Sequence, residues 1–345
     1  MEFLLLFASI GVKNTVTVEP RTLFFHTIKR NEKAMKEGVV MNVIVTGGAG
    51  FIGSNLVDRL IKEGFDTYII DNLSTGKRQF LNPRATFYQS DILDVKKMEL
   101  IFEEVKPTAV FHLAAQIDIQ TSIHNPALDA QMNIIGTMNI LELCKTYNSK
   151  LIYSSSAAVY GTPLYLPVCE QHLIHPLSNY GISKYTPELY IRCYAQLYNV
   201  KYTILRYSNV YGPRQMPKGE GGVISIFIDK MINNDIPVVF GDGEHTRDFI
   251  YVEDVVTANL SALNAEKSGT YNISTNKRIS INELIEKINY ILNKNIVPVY
   301  KQDRLGDIIH SCLDNQLAEM ELNWQPKYSI IEGLEKTCLF NKKIQ

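Results

Sequence analysis

Residues 41–71 read MNVIVTGGAGFIGSNLVDRLIKEGFDTYIID, and the order of residue types in this stretch decides the fold. Val43 to Thr46 is a short apolar, β-branched run, the pattern of a buried strand. Gly47, Gly50 and Gly53 follow at intervals of three. Without Cβ atoms the chain turns tightly there, and its amides approach a pyrophosphate at a helix N-terminus. From Gly53 to Glu63, Leu56, Leu60 and Ile61 recur at helical spacing. Thr67 to Ile70 reads as a second strand ending at Asp71. That is close to the ~20-residue interval at which a carboxylate meets the ribose hydroxyls of a dinucleotide. Strand, glycine loop, helix, strand and acidic residue together predict a dinucleotide-binding βαβ unit, with Gly47, Gly50, Phe51, Ile52 and Gly53 around the phosphates. A carboxylate at position 71 repels a 2′-phosphate, which favours NAD over NADP.

Outward from this unit the rhythm continues. Thr86 to Gln89, Ala109 to Leu113, Lys150 to Ser154 and Tyr202 to Arg206 read as further strands. Asn133 to Lys145 and Ser183 to Leu197 read as helices between them. Alternating strands and helices imply an α/β fold, a Rossmann-like doubly wound parallel sheet. Beyond Tyr207, Gly and Pro cluster at Gly212-Pro213 and between Pro217 and Gly222, and helical patterns follow over Ile224 to Asn233 and Ile281 to Leu292. This predicts a dinucleotide-binding domain over 41–206 and, mainly within 207–345, a smaller mixed α/β lobe for the substrate. Residues 1–40 are expected to lie outside the fold as a poorly ordered extension. Phe3 to Val12 is an apolar run with Glu2 and no basic residue before it, unlike a signal peptide, and it is short for a membrane span.

Composition narrows the function. The chain has 345 residues, of which 35 are Lys or Arg and 36 Asp or Glu, a net charge of −1. No basic surplus is present to neutralise a nucleic-acid backbone. The five cysteines are scattered without a C-x-x-C pair and the seven histidines show no H-x-x-x-H spacing, so neither a disulfide framework nor a catalytic metal is expected. A reducing, cytoplasmic setting follows. His112, in an apolar strand, reads as a packed side chain.

Tyr180 and Lys184 are spaced i, i+4 in YGISK, so on a helix they share a face. A phenol with an ordinary pKa near ~10 is a poor base at neutral pH, and a neighbouring ammonium favours the phenolate. Upstream, Ser154-Ser155-Ser156 closes an apolar strand, at the sheet edge where ligands bind in such folds. Ser156 is placed to share a substrate hydroxyl with Tyr180. Asp91-Ile92, after the third strand, suits an adenine site, although SDILD also makes a good helix cap.

These residues resemble the extended short-chain dehydrogenase/reductase family, and within it the NAD-dependent nucleotide-sugar epimerases and dehydratases. The resemblance runs from Met41 almost to the C-terminus. It rests on TGGAGFIG, DNLSTG, FHLAAQ (Phe111 to Gln116), the serine run, Y-x-x-x-K and LRYSNVYGPRQ (Leu205 to Gln215). GDGEHTRDFIYVEDV (Gly241 to Val255) and RLGD (Arg304 to Asp307) complete it. It implies that Asn72, Ser74, Thr75 and Gly76 join the cofactor site, that Leu113, Ala114 and Ala115 line it, that Asn133 supports it, and that Tyr207 and Ser208 lie near the nicotinamide. It further implies that Asn209 meets the substrate diphosphate, Phe240 packs on uracil, and Arg247 and Arg304 grip diphosphate and ribose. Dehydratases of the family carry Thr-Asp-Glu where this chain has Ser156-Ala157-Ala158. The resemblance is therefore to an isomerase of the UDP-glucose 4-epimerase type, which oxidises C4, rotates a 4-keto sugar and reduces its other face, as a homodimer. Ser311, four residues after Asp307, stands where a tyrosine excludes N-acetyl groups, so UDP-N-acetylhexosamines are expected to fit as well. The alternatives are a UDP-uronate epimerase or decarboxylase, and an NAD-sensing protein without catalysis.

Overall fold

A computed structural model describes residues 41–217, 222–303 and 308–344. The expectations for residues 1–40 and for Arg304 fall outside the described residues. In chain order the first half comprises β1 (Asn42–Thr46), α1 (Phe51–Lys62), β2 (Asp66–Asp71), β3 (Thr86–Gln89), α2 (Val95–Val105) and β4 (Ala109–His112). Two short helices, α3 (Ile119–His124) and α4 (Pro126–Ala130), lead through a π-helical turn, Gln131–Ile135, into α5 (Gly136–Tyr147). Then come β5 (Lys150–Ser156), α6 (Asn179–Tyr198) and β6 (Tyr202–Tyr207). The second half contains β7 (Asn209–Tyr211), α7 (Val223–Ile232), β8 (Val238–Phe240), β9 (Thr246–Arg247), β10 (Phe249–Tyr251) and α8 (Val252–Asn264). It ends with β11 (Gly269–Ile273), β12 (Ile279–Ser280), α9 (Ile281–Leu292), β13 (Val299–Lys301), α10 (Gln316–Leu322) and α11 (Ile330–Ile344).

Seven strands form one parallel sheet in the order β11-β6-β5-β4-β1-β2-β3. The strand order reverses between β1 and β4, and in an open α/β sheet the crevice beyond that switch point is where ligands bind. Side chains alternate across the sheet. Val43 and Val45 face a core shared with Leu56 and Leu60 of α1 and Val255 and Ala258 of α8. Ile44 faces the opposite core, with Met98, Phe102, Ile140 and Leu141. A third cluster joins Ile224, Phe227 and Ile228 of α7 to Leu284, Ile285 and Ile288 of α9, and Phe51 of the glycine loop packs into it. Elements beyond residue 206 also build the large sheet and its core: α8 packs on the sheet, β11 extends it, and α10 packs against β11 and α8. No helix among the described residues is long and apolar enough to cross a membrane.

Candidate active site

The C-terminal ends of β1, β4, β5 and β6 open on one cleft of about 580 Å³. Gly47, Gly50, Phe51, Ile52 and Gly53 form its floor beside Asp71, Asn72, Ser74 and Thr75, and Ile92, Leu113, Ala114 and Ala115 line it. Ser156, Tyr180, Lys184, Tyr207, Ser208 and Asn209 line it as well. The glycine loop is fitted as tightly as its spacing implied. Gly47 has φ +69°, and a Cβ on it would lie 2.8 Å from the Ala114 nitrogen; a Cβ on Gly53 would overlap the Gly47 carbonyl. Gly50 caps α1 with no side chain over the helix end, so its first-turn amides face the cleft. The carboxylate of Asp71 accepts from the amides of Ala49 at 2.9 Å and Leu73 at 2.8 Å, pinning the loop. Burial raises its pKa against these two bonds.

The cradle fits a dinucleotide. Ser90 Oγ, Ser208 Oγ and Gln215 Oε1 are buried, lack a protein partner and belong to residues lining this cleft. Buried polar atoms are ordinarily paired, so three such atoms around one cleft suit a hydroxyl-rich ligand.

At the centre, Tyr180 sits in the first turn of α6, capped by Ser178, whose Oγ accepts from the Gly181 amide at 3.1 Å. Ser156 stands beside the Tyr180 hydroxyl and favours its ionised form. Lys184 is buried with its ammonium 5.0 Å from the centroid of the Tyr153 ring. The expected depression of the Tyr180 phenol by Lys184 does not emerge from the protein alone. Burial pushes the phenol up to about 12, with Ser156 the group opposing that rise. Burial also lowers Lys184 to about 8, while Asp129 and Glu188 favour its charged form. His112 is packed as expected: Nδ1 meets Thr46 Oγ1 at 2.7 Å and Nε2 meets Thr137 Oγ1 at 3.0 Å. Burial lowers its pKa to about 3, so the ring is neutral.

Several expected residues are placed otherwise. Asp91 is half-buried between the cleft-lining Ser90 and Ile92, accepting from Asn72 Nδ2 at 2.8 Å and the Leu93 amide at 2.9 Å; the cap of α2 is Asp94. Asn133 is buried behind the cleft, donating to the Gln116 carbonyl at 2.8 Å and Ser183 Oγ at 2.9 Å while accepting from the Gln116 amide. It fastens the loop after β4 to α6. Gly76 does not line the cleft but leaves room for the Asp71 carboxylate. Phe240, Arg247 and Ser311 are not in its walls. Arg247 Nη1 donates to the carbonyls of Thr246 and Ile309, and the Ser311 amide bonds Thr246 O at 3.1 Å, so these two meet beside β9. Gln215, Met132 and Phe249 line the cleft without having been anticipated. Gln215 stands in the quoted NVYGPRQ segment, but only the fold reveals its unpartnered Oε1.

A parallel sheet carrying a glycine loop at its switch point, faced by a Ser-Tyr-Lys group, defines a dinucleotide-dependent enzyme of the short-chain dehydrogenase/reductase class. Residues 44–337 match the family described as GDP-mannose 4,6 dehydratase, and the chain belongs to this extended epimerase/dehydratase family. The chain is similar to a solved UDP-glucose 4-epimerase of Thermotoga maritima with UDP-glucose. The TM-score is 0.86 at 45% identity, covering 88% of this chain and 99% of that one. A UDP-N-acetylglucosamine 4-epimerase of Methanobrevibacter ruminantium, in complex with UDP-N-acetylmuramic acid, gives 0.84 at 36% identity, covering 89% and 99%. The UDP-glucose 4-epimerase of Thermus thermophilus in complex with NAD gives 0.82 at 36%, covering 88% and 99%.

Proposed function

We propose that this chain is an NAD-dependent isomerase that interconverts UDP-glucose and UDP-galactose, and the corresponding N-acetylhexosamines, at C4. The observation that carries the reading is the meeting of Ser156, Tyr180 and Lys184 in the glycine-loop cleft, with Ala157 and Ala158 where an eliminating enzyme needs an acid and a base. Similarity to the three epimerases supports it. Glycine-loop amides would hold the cofactor's diphosphate and Asp71 its adenosine ribose. NAD, when bound, supplies the hydride acceptor and a positive ring charge.

Ser156 orients the sugar's C4 hydroxyl towards Tyr180, which takes its proton during oxidation and returns it during reduction, so no proton is consumed overall. Lys184, buried one helical turn from the phenol, would act together with the positive ring of NAD, when bound, to favour the phenol's ionised form, which the protein alone does not. The resulting 4-keto sugar is neutral at C6 in this reading. Lys184 is the one cationic side chain among the described residues lining the cleft.

The region after Tyr207, without α8, β11 and α10, is assigned as the sugar-nucleotide lobe, with Asn209, Phe240, Arg247, Arg304 and Ser311 as its substrate residues. A homodimer is supported by the apolar side chains Ile182, Leu189 and Leu197 exposed along α6, beside exposed Ile123 and Ile135. Five cysteines without a disulfide suit the cytoplasm. The function is tested with Tyr180→Phe, which keeps NAD and loses turnover by about 10²–10⁴-fold. Retained turnover contradicts the assignment.

A further inference from the structure

Behind the cleft floor lies an ion pair that binding and proton transfer do not use directly. Glu188 follows Lys184 by four residues on α6, one turn further along the same face. Its carboxylate is fully buried. Oε1 accepts from Ser155 Oγ at 2.6 Å and Arg206 Nε at 2.9 Å; Oε2 accepts from Arg206 Nη2 at 2.5 Å and Arg192 Nη2 at 2.7 Å. Four donors saturate the carboxylate. Arg206, 2% exposed, also donates to Tyr160 Oη at 2.9 Å, and that hydroxyl donates to Asn272 Oδ1 at 2.7 Å on β11.

The anchors abut the proposed reaction centre. Ser155 precedes Ser156 and Arg206 precedes Tyr207, and β5 and β6 pair Ser155 with Arg206 and Ser156 with Tyr207. A buried ion pair is seldom more stable than apolar residues of the same volume. What the forked Arg–carboxylate geometry adds is direction, which apolar packing does not fix as tightly.

We propose that Glu188 is a positioning residue of the epimerisation site: by clamping Ser155 and Arg206 it locks the ends of β5 and β6 to α6, and so sets the spacing among Ser156, Tyr180 and Lys184. This inference rests on the function proposed above. The charge has a second effect. Lys184 is faced by the Tyr153 ring on β5, by neutral His112 on β4 beyond that ring, by Asp129 on α4, and by Tyr180 and Glu188 on its own helix. Loss of the Glu188 charge leaves Asp129 as the remaining carboxylate favouring the ammonium.

The test compares the full-length wild type, Glu188→Gln and the double variant Glu188→Leu/Arg206→Met, using UDP-galactose. Glu188→Gln is expected to lower kcat about 10- to 100-fold, as small misplacements of reacting groups do, with KM and bound NAD within about twofold of wild type. Its basic limb of kcat moves to lower pH. The double variant removes both buried charges at similar volume; it is expected to melt near the wild type and still turn over slowly. A double variant with wild-type melting, kcat and pH profile overturns the proposal, whether or not Glu188→Gln folds. A wild type that epimerises nothing overturns the proposed function itself, which distinguishes the two failures.

Discussion

Gly47→Ala is the most informative single perturbation of the cofactor cradle. Gly47 has φ +69°, a conformation that costs a residue with a Cβ roughly 1–2 kcal/mol. The added Cβ would stand 2.8 Å from Ala114 N and 3.0 Å from both Ala114 Cα and Leu113 C, all backbone atoms that no rotamer change can move. Overpacking of this kind costs about 1–3 kcal/mol, for a total of about 2–5 kcal/mol. Relief requires parting the loop from β4, yet the Leu113 and Ala114 amides bond Thr46 O and Thr46 Oγ1, each at 3.2 Å. If the loop stays, the loss appears as lower stability. If it moves, the cofactor must drive it back, and NAD affinity falls about 30-fold or more at ~1.4 kcal/mol per tenfold. Chemical denaturation of the NAD-free protein and calorimetric titration with NAD measure the two shares. They should sum to at least about 2 kcal/mol. A variant within about 0.5 kcal/mol of wild type in both refutes the tight-cradle reasoning.

Other consequences are separately measurable. Because the buried ammonium of Lys184 titrates at about 8, well below an ordinary lysine, kcat should decline as pH rises through that value, and Lys184→Met should abolish the limb along with most turnover. His112 behaves oppositely. Its folded pKa of about 3 lies below the ordinary 6.5, so its contribution to stability is complete above about 6.5 and is lost progressively as pH falls towards 3. Between pH 7.5 and 5 the wild type should lose about 2 kcal/mol more than His112→Asn; equal losses would show the ring is not buried neutral. Ser311→Tyr should abolish turnover of UDP-N-acetylgalactosamine and spare UDP-galactose. Equal turnover of the N-acetyl sugar in the variant refutes a role for that position.

Legibility followed the range of the interactions. The glycine loop, β1, β2 and the Tyr180–Lys184 pair were readable because each depends on spacing within a few residues. How Asn133 supports the site was not readable, because its partners Gln116 and Ser183 come from other segments. β11 was missed because a five-residue strand followed by more polar loops has no period of its own, and its pairing with β6 joins it to the sheet. The motif around Arg247 does not show that its Nη1 donates to the carbonyls of Thr246 and Ile309, the second of which lies far along the chain. Nor does the Y-x-x-x-K spacing reveal how strongly burial opposes ionisation of Tyr180.

Proton NMR of the purified protein incubated separately with UDP-galactose and UDP-N-acetylgalactosamine, without added cofactor, tests the central claim most directly. Epimerisation through retained NAD predicts that the gluco epimers grow in with both sugars, and that Tyr180→Phe leaves both spectra unchanged. Spectra that stay unchanged for the wild type, even after NAD is added, would contradict it.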